Sequence, residues 1–579
     1  MQRTSSPFAP TPGAIAAAVS TALATLLTAS AALAQDALPQ QDNEWFTDAQ
    51  SALEERLSYQ PNTNRAKNVI LLIADGNGVG TNYATRLFHG QQQGNYGDEN
   101  VLPQEALPHL ALVKTYNTNA QTPDSSGTAT AMLSGVKTKA GVVGVDESVE
   151  RGNCAQVEAG KVTPITRLMA DAGKAVGIIS TARLTHATPA SAYAHSADRD
   201  FEDDSALPEG CEVPDIAVQL IEAMESGMVD IAMGGGRRHF LPEDVQDEEG
   251  DTGQRTDGRN LVEEAKALGA SYVFDSDSFA ALDPSAGPVL GLFDSSHMQY
   301  EFDRSGEPSL AEMVEASIEA LSGNEEGFFL TVEAGRVDHA NHAGNLHRTV
   351  TDGVAFAEAI AKARELTDSE ETLIVVTADH EHAIAFSGYC GRGTPITGLC
   401  YGIDEAGLEH TGEPQLADDG RPYTVVGYLN GAGSVIKKEE IPADLAMESD
   451  HANGSEADDG SVADASGTDS GKASDAMESA ADRAAADLLA RLDTTTEVDE
   501  DTGDSASYRW IGSRGALDQE SATDPDYLQQ ALLPMSSETH SGEDVAVYAS
   551  GPFAHLLDGT VEQNYLFHVM HHAVFGAEE

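Results

Sequence analysis

Three runs of aliphatic and β-branched residues narrow the folds open to this chain, because each ends on a side chain able to do chemistry. Val69-Ile70-Leu71-Leu72-Ile73 leads into Ala74-Asp75-Gly76, Phe328-Phe329-Leu330-Thr331-Val332 into Glu333, and Leu373-Ile374-Val375-Val376-Thr377 through Ala378 into Asp379-His380. Continuous apolar runs of this length read as strands buried on both faces of a mainly parallel sheet. Helical stretches separate them. Pro164 to Ala172, closed by Gly173, predicts one such helix, with Thr163 as its N-cap and Pro164 in the first turn. In open α/β sheets, ligands bind beyond the carboxyl ends of the strands, so these acids and histidines fall where a site belongs. The fold expected is α/β, with a large mainly parallel central sheet flanked by helices. At 579 residues the chain can bury a sizeable core, as one large domain or several smaller ones.

The amino terminus stands apart from that core. Arg3 is the only charge before an Ala-rich apolar run from Ala14 to Ala34, and Ala32-Leu33-Ala34 is a small-x-small cleavage site followed by Gln35 and Asp36. This pattern reads as an export leader over residues 1–34, with a retained lipophilic terminus as the alternative. Export, to the periplasm or the medium, places Cys154, Cys211, Cys390 and Cys400 in an oxidising compartment, where four thiols allow three pairings. Cys390 and Cys400 flank the turn Gly391-Arg392-Gly393-Thr394-Pro395, which favours a local bridge and leaves Cys154 with Cys211.

Charge narrows the partners. With 33 basic and 95 acidic side chains the formal net charge is -62, and the pI is near 4.3. Such a surface disfavours nucleic acid and anionic membranes, and no later run suggests a stable membrane span. It also repels itself at low ionic strength, which points to a salt-adapted protein. Massive calcium binding competes as an explanation, but no D-x-[DN]-x-[DN]-G loop or nonapeptide repeat is present. From residue 437 to 523 the chain becomes an acidic low-complexity insertion of Ala, Ser, Gly, Asp and Glu. It is too poor in apolar residues to fold alone, so a loop is expected, with one helix over Ala480 to Leu492. The strand-like Asp544-Val545-Ala546-Val547-Tyr548-Ala549 follows it, so the insertion interrupts one domain instead of dividing two.

Taken singly, the candidate residues say little. An Asp closing a strand is commonly a cap, and Asp338 with His342 shows ligand-pair spacing that also arises by chance. Asp124-Ser125-Ser126-Gly127 opens a helix of small residues, where an anion or an alkoxide is favoured; read alone, Asp124 is a simple N-cap. No histidine neighbours Ser125 in sequence and no G-x-S-x-G elbow is present, so activation of this serine would need a metal.

In combination the segments carry more. Ile73-Ala74-Asp75-Gly76, Thr122-Pro123-Asp124-Ser125, Met233-Gly234-Gly235-Gly236-Arg237, Val332-Glu333-Ala334-Gly335-Arg336-Val337-Asp338-His339, Thr377-Ala378-Asp379-His380 and Glu538-Thr539-His540-Ser541-Gly542-Glu543-Asp544 follow one another in family order. From Asn68 to the carboxyl end, outside the insertion, the chain resembles the alkaline phosphatase family. The resemblance implies hydrolysis of phosphate monoesters, with inorganic phosphate as product, through a phosphoserine at Ser125. It implies one zinc held by Asp338, His342 and His540 and a second held by Asp75, Asp379 and His380. It implies a magnesium held by Asp75, Thr188 and Glu333, a phosphate clamp at Arg199, and a homodimer. His186 and His339, where some relatives carry Asp and Lys, would line a water network beside the magnesium. His382 would support a zinc ligand or merely pack. Asp294 and Glu307 fall where some relatives bind calcium, in a looser match. Residues 35–579 would form the catalytic domain, with 383–433 as the family's variable cap.

Two rivals remain at this level. One is a phosphodiesterase or sulfatase of the same superfamily, although no C/S-x-P-x-R context surrounds Ser125. The other is a non-catalytic, secreted, acidic cation-binding protein.

Overall fold

The computed structural model describes residues 38–404, 410–441, 495–498, 505–512 and 514–576. The expected leader and the expected helix from Ala480 to Leu492 lie outside the described residues. The described residues fall into two compact units, divided between Pro61 and Asn62. In the first unit a helix spans Glu44–Ser58, and the Asn43 side chain accepts from the Trp45 backbone N–H at 3.0 Å.

The second unit is built on a ten-stranded sheet. Its strands are β1 (Asn68–Ala74), β2 (His109–Lys114), β3 (Ala175–Arg183), β4 (Ile231–Gly235), β5 (Ser271–Val273), β6 (Val289–Leu292), β7 (Phe328–Ala334), β8 (Thr372–Ala378), β9 (Val545–Ser550) and β10 (Gly559–Glu562). They lie in the order β10-β2-β9-β8-β1-β7-β3-β4-β6-β5. Only β9 runs antiparallel to its neighbours, β2 and β8. The three apolar runs are the adjacent strands β8, β1 and β7, and apart from Asn68 every one of their residues is buried. Helices cover both faces there, so alternation is not required. Towards the edge, β2 does alternate: Ala111 and Val113 are buried while Leu110 and Leu112 are exposed. Parallel register brings the chemistry together. Ile73 lies beside both Glu333 and Thr377, and Ala74 beside both Ala334 and Ala378. Asp75, Glu333 and Asp379 therefore leave the same edge of the sheet at nearly one level.

Smaller differences have local causes. The helix after Thr163 runs Ile165–Asp171, and Pro164, in extended backbone, is itself the N-cap. Both expected disulfides, Cys154–Cys211 and Cys390–Cys400, are present. The cap region contributes small sheets, with Ile384–Phe386 paired to Val426–Gly431 and Tyr401–Ile403 paired to His410–Pro414. Among the described residues no helix is long and apolar enough to cross a membrane.

The insertion is less uniform than its composition suggested. Ile436–Ile441, Ser505–Gly512 and Thr495–Val498 form an antiparallel sheet in that order, which corrects the expectation of a loop there. Tyr508, Trp510 and Ile511 restore strand-forming residues after the low-complexity stretch. Beyond it, Arg514 donates to Asp419 at 3.0 Å and to the Pro422 carbonyl at 2.9 Å, and Gln519 accepts from the Leu399 backbone N–H at 2.9 Å. These contacts hold the end of the insertion to the cap. The piece expected to be dispensable for turnover is therefore narrowed from the whole insertion to 442–494. Ile441 and Thr495 face Ser507 and Tyr508 of the shared strand, two strand spacings or about 10 Å apart. Replacing 442–494 with a short Gly/Ser linker should leave turnover in moderate salt within a few-fold. Loss of activity in a folded deletion variant would show that the segment shapes the site.

Candidate active site

Strand ends, one helix start and one late loop build the site. Asp75 follows β1, and Gly76 turns the chain with φ +66°; a Cβ there would lie 2.3 Å from His382 Nε2. Ser125 begins the helix Ser125–Ser134, whose N-cap is Asp124. Glu333 lies within β7, and the helix Arg336–His342 that follows carries Asp338 and His342. Asp379 and His380 follow β8. His540 arrives from the far end of the chain in a two-residue bridge that pairs it with His382.

The first expected zinc set comes together. The ligand atoms of Asp338, His342, His382 and His540 all lie within 4.8 Å of one another. His342 Nε2 is 3.0 Å from His540 Nε2, and Asp338 Oδ1 is 3.4 Å from the former and 3.3 Å from the latter. Tetrahedral zinc with ordinary bond lengths separates its ligands by about 3.3–3.4 Å. The protons are already committed elsewhere: His342 Nδ1 donates to the Glu538 carbonyl at 2.6 Å and His540 Nδ1 to the Pro123 carbonyl at 2.8 Å. With both Nδ1 atoms turned to carbonyls, the two Nε2 atoms face each other and Asp338 Oδ1, a donor set that fits a cation between them.

The second set shows the same spacing. His380 Nε2 is 3.4 Å from Asp75 Oδ1, 3.4 Å from Asp379 Oδ2 and 3.2 Å from Ser125 Oγ. Ser125 Oγ is 3.5 Å from Asp75 Oδ1. Asp379 is fixed by N–H groups of Gly76 and His380 on one oxygen and by the Thr128 hydroxyl on the other. Beside it, Asp75, His186 and Glu333 form a further group. Glu333 Oε1 and Thr188 Oγ1 are buried there without a hydrogen-bond partner of acceptable geometry. Burial raises the Asp75 pKa well above the carboxylate range, and Asp379, Asp338 and Glu333 raise it further; burial pushes Glu333 up to about 7. So many enclosed carboxylates need compensating positive charge to stay ionised. The oxygen-rich pair Glu333 and Thr188 suits magnesium.

Arg199 reaches into this site from the segment after β3. One of its nitrogens pairs with Asp124, and Nη2 donates to His186 Nε2 at 2.9 Å. Burial works against the Asp124 carboxylate, yet Arg199, Ser126 and the Gly141 N–H hold its pKa down to about 2. Asp124 is thus both a helix cap and the counter-ion of Arg199.

Sequence reasoning left three features out. His297 joins His186 and His339 in a cluster whose nitrogens lie within 4.8 Å, and nothing in its own segment signalled this. Arg199 donates to His186 and Arg336 to His339 at 3.1 Å, each on one ring nitrogen, while Arg183 meets His297 on both, with its backbone N–H to Nδ1 at 3.2 Å and its Nη1 against Nε2. On His186 and His339 the ring proton is then left on the other nitrogen, so both present N–H donors instead of ligand lone pairs. The second feature is Glu538, whose Oε2 is 2.5 Å from His382 Nδ1 while His382 Nε2 is 2.8 Å from Asp338 Oδ1. Burial disfavours charge on His382, but the carboxylates of Asp338 and Glu538 raise its pKa to about 10. His382 is therefore hydrogen-bonded to Asp338 and Glu538 and not merely packed. The third is Glu381, which accepts from the Gly80 N–H at 2.7 Å and the Thr81 hydroxyl at 2.7 Å and so ties the turn after β8 to the helix Val79–Gln92. Asp294 and Glu307 do not enter any of the candidate ion-holding groups among the described residues. Burial, then the Asp294 charge, pushes Glu307 up to about 7.

Comparison with known proteins agrees with this geometry. The alkaline phosphatase family model matches residues 66–575. The tissue-nonspecific alkaline phosphatase of Rattus norvegicus is 38% identical over 549 residues, covering 91% of this chain and 88% of the relative. An alkaline phosphatase of Gadus morhua is 37% identical over 558 residues, covering 93% and 98%. In fold, the Thermus thermophilus alkaline phosphatase aligns with a TM-score of 0.56 at 23% identity, over 90% of this chain and 93% of that one. The enzyme of the Antarctic bacterium TAB5 aligns at 0.53 and 18%, over 89% and 100%. A family match across nearly all of the second unit, on a site of this composition, leads to one assignment: the chain belongs to the alkaline phosphatase family and is a phosphatase.

Proposed function

We propose that the chain hydrolyses phosphate monoesters through a phosphoserine at Ser125, with zinc at the sets Asp338/His342/His540 and Asp75/Asp379/His380 and magnesium at Asp75/Thr188/Glu333. One observation carries the reading: the facing Nε2 atoms of His342 and His540, 3.0 Å apart, with both Nδ1 protons spent on carbonyls. When bound, the ions supply positive charge that lowers the serine pKa and stabilises the leaving oxygen. The protein supplies the rest. Ser125, at the start of its helix, loses its hydroxyl proton to solvent and attacks phosphorus; the P–O bond to the alcohol breaks as the Ser125 Oγ–P bond forms, and the departing oxygen takes a proton from water. Arg199, braced by Asp124 and His186, grips the transferring oxygens. Water then cleaves the phosphoserine and frees inorganic phosphate. Contacts of this kind address the phosphate and not the alcohol, so substrate scope should be broad. Comparing a monoester, a diester and a sulfate ester tests the reading: the monoester should be turned over far faster, and a preference for either of the others would replace it with the rival activity.

Salt adaptation follows from charge. The Debye length falls from about 30 Å at 0.01 M to about 3 Å at 1 M, so salt relieves repulsion across a surface of net charge -62. Thermal midpoint and low-substrate rate should both rise from near-zero toward molar NaCl, with KCl alike. A flat or falling midpoint would refute this part while leaving the activity intact. Export with oxidative folding is the corresponding proposal for the leader, and it is consistent with two disulfides.

A further inference from the structure

We infer that Glu538 is the positioning residue of the first metal set, holding Asp338 in its ligating orientation through His382 and so setting how long that set keeps its ion. The inference rests on the metal reading above.

Glu538 is 1% exposed, and a carboxylate is costly to enclose unless its lone pairs are used. Both oxygens are used. Oε2 meets His382 Nδ1 at 2.5 Å and Oε1 accepts from the Ala383 N–H at 2.6 Å. Through the other ring nitrogen, His382 reaches Asp338 Oδ1 at 2.8 Å, the oxygen that also faces His342 and His540. The imidazole has little freedom to turn away, because it is 1% exposed and lies against Gly76, where even a methyl would collide with Nε2. The Glu538 main chain grips a second ligand: its N–H donates to the His342 carbonyl at 2.9 Å, and its carbonyl accepts from His342 Nδ1 at 2.6 Å. The third ligand, His540, follows two residues later. Filling space would need only an apolar side chain. The acid is explained by what it orients, since partners behind metal ligands fix ligand direction and their loss typically weakens metal binding.

The test uses zinc-loaded full-length protein and follows zinc transfer to a chromogenic chelator, with metal content by mass spectrometry. Wild type should release two equivalents slowly. Glu538→Ala should release one of them faster by about 10–100-fold and the other at the wild-type rate. Glu538→Gln should fall between, because its amide oxygen still accepts from Ala383 while its NH2 group can only donate to His382. In a His540→Ala background, Glu538→Ala should leave the remaining equivalent unaffected. If the alanine variant folds poorly, the glutamine variant decides alone. A lowered melting point in the metal-free variants with both equivalents released at wild-type rates would make Glu538 a packing residue and overturn the inference by itself. A wild type that captures no zinc would overturn the metal reading, and this inference with it.

Discussion

Ser125→Ala should abolish turnover, by on the order of a thousandfold or more, while leaving zinc content unchanged. The geometry favours this hydroxyl over its neighbour as the proposed nucleophile. Ser126 Oγ is turned to the Asp124 carboxylate and also accepts from the Gly141 N–H at 3.1 Å, so it is consumed by the helix start. Ser125 Oγ instead points at His380 Nε2 and Asp75 Oδ1, within the second expected zinc set. No histidine is placed as a free base beside it: a His380 ring that ligates a cation through Nε2 cannot also take a proton there. Acid quenching during turnover should trap phosphate on the peptide containing Ser125, read by mass spectrometry. Label on Ser126, Thr128 or any residue outside that pair of sets would remove the assignment.

Stripping the metals should cost as much as removing the nucleophile. Without cations, the lone pairs of His342 and His540 repel and the Asp75, Asp379 and Glu333 carboxylates crowd one another. The site should then loosen or take up protons, and catalysis should stop. Zinc should restore activity and magnesium should raise it further. His540→Ala should lose one zinc equivalent selectively, because in the proposed arrangement His540 would supply one of three protein ligands to that ion and none to the other set. Metal content by mass spectrometry beside a phosphate-release assay checks both statements. Full turnover by rigorously metal-free protein would end the mechanism.

Much of this was legible in the sequence for a physical reason. Strands buried on both faces must be continuously apolar, so β1, β7 and β8 stood out, and in a parallel sheet their ends share an edge. Their apolar runs alone therefore bring Asp75, Glu333 and Asp379 to one end of the sheet. What escaped was of a different kind. His297 lies on a loop with no periodicity to mark it, and only the fold brings it to His186 and His339. Glu538 sat inside a recognised segment, yet its partner His382 is 156 residues away, so its role depends on the bridge between Glu381–His382 and His540–Ser541. The strands inside the insertion were masked by composition, because a window dominated by Ala, Ser and Asp hides a few aromatic residues near its end.

The antiparallel strand β9 also sets an order of events. His540 lies just before β9, about two hundred residues beyond Asp338 in the chain, and it reaches its place only when that late segment docks beside β8. A nascent chain can form β1, β7 and β8, and thus gather Asp75, Glu333 and Asp379, well before His540 has been synthesised. The first ion-holding set is completed last. A chain that ends before His540 would lack β9 and β10, and with them the pairing that joins β2 to β8, so both that end of the sheet and a competent centre should wait until translation is all but done.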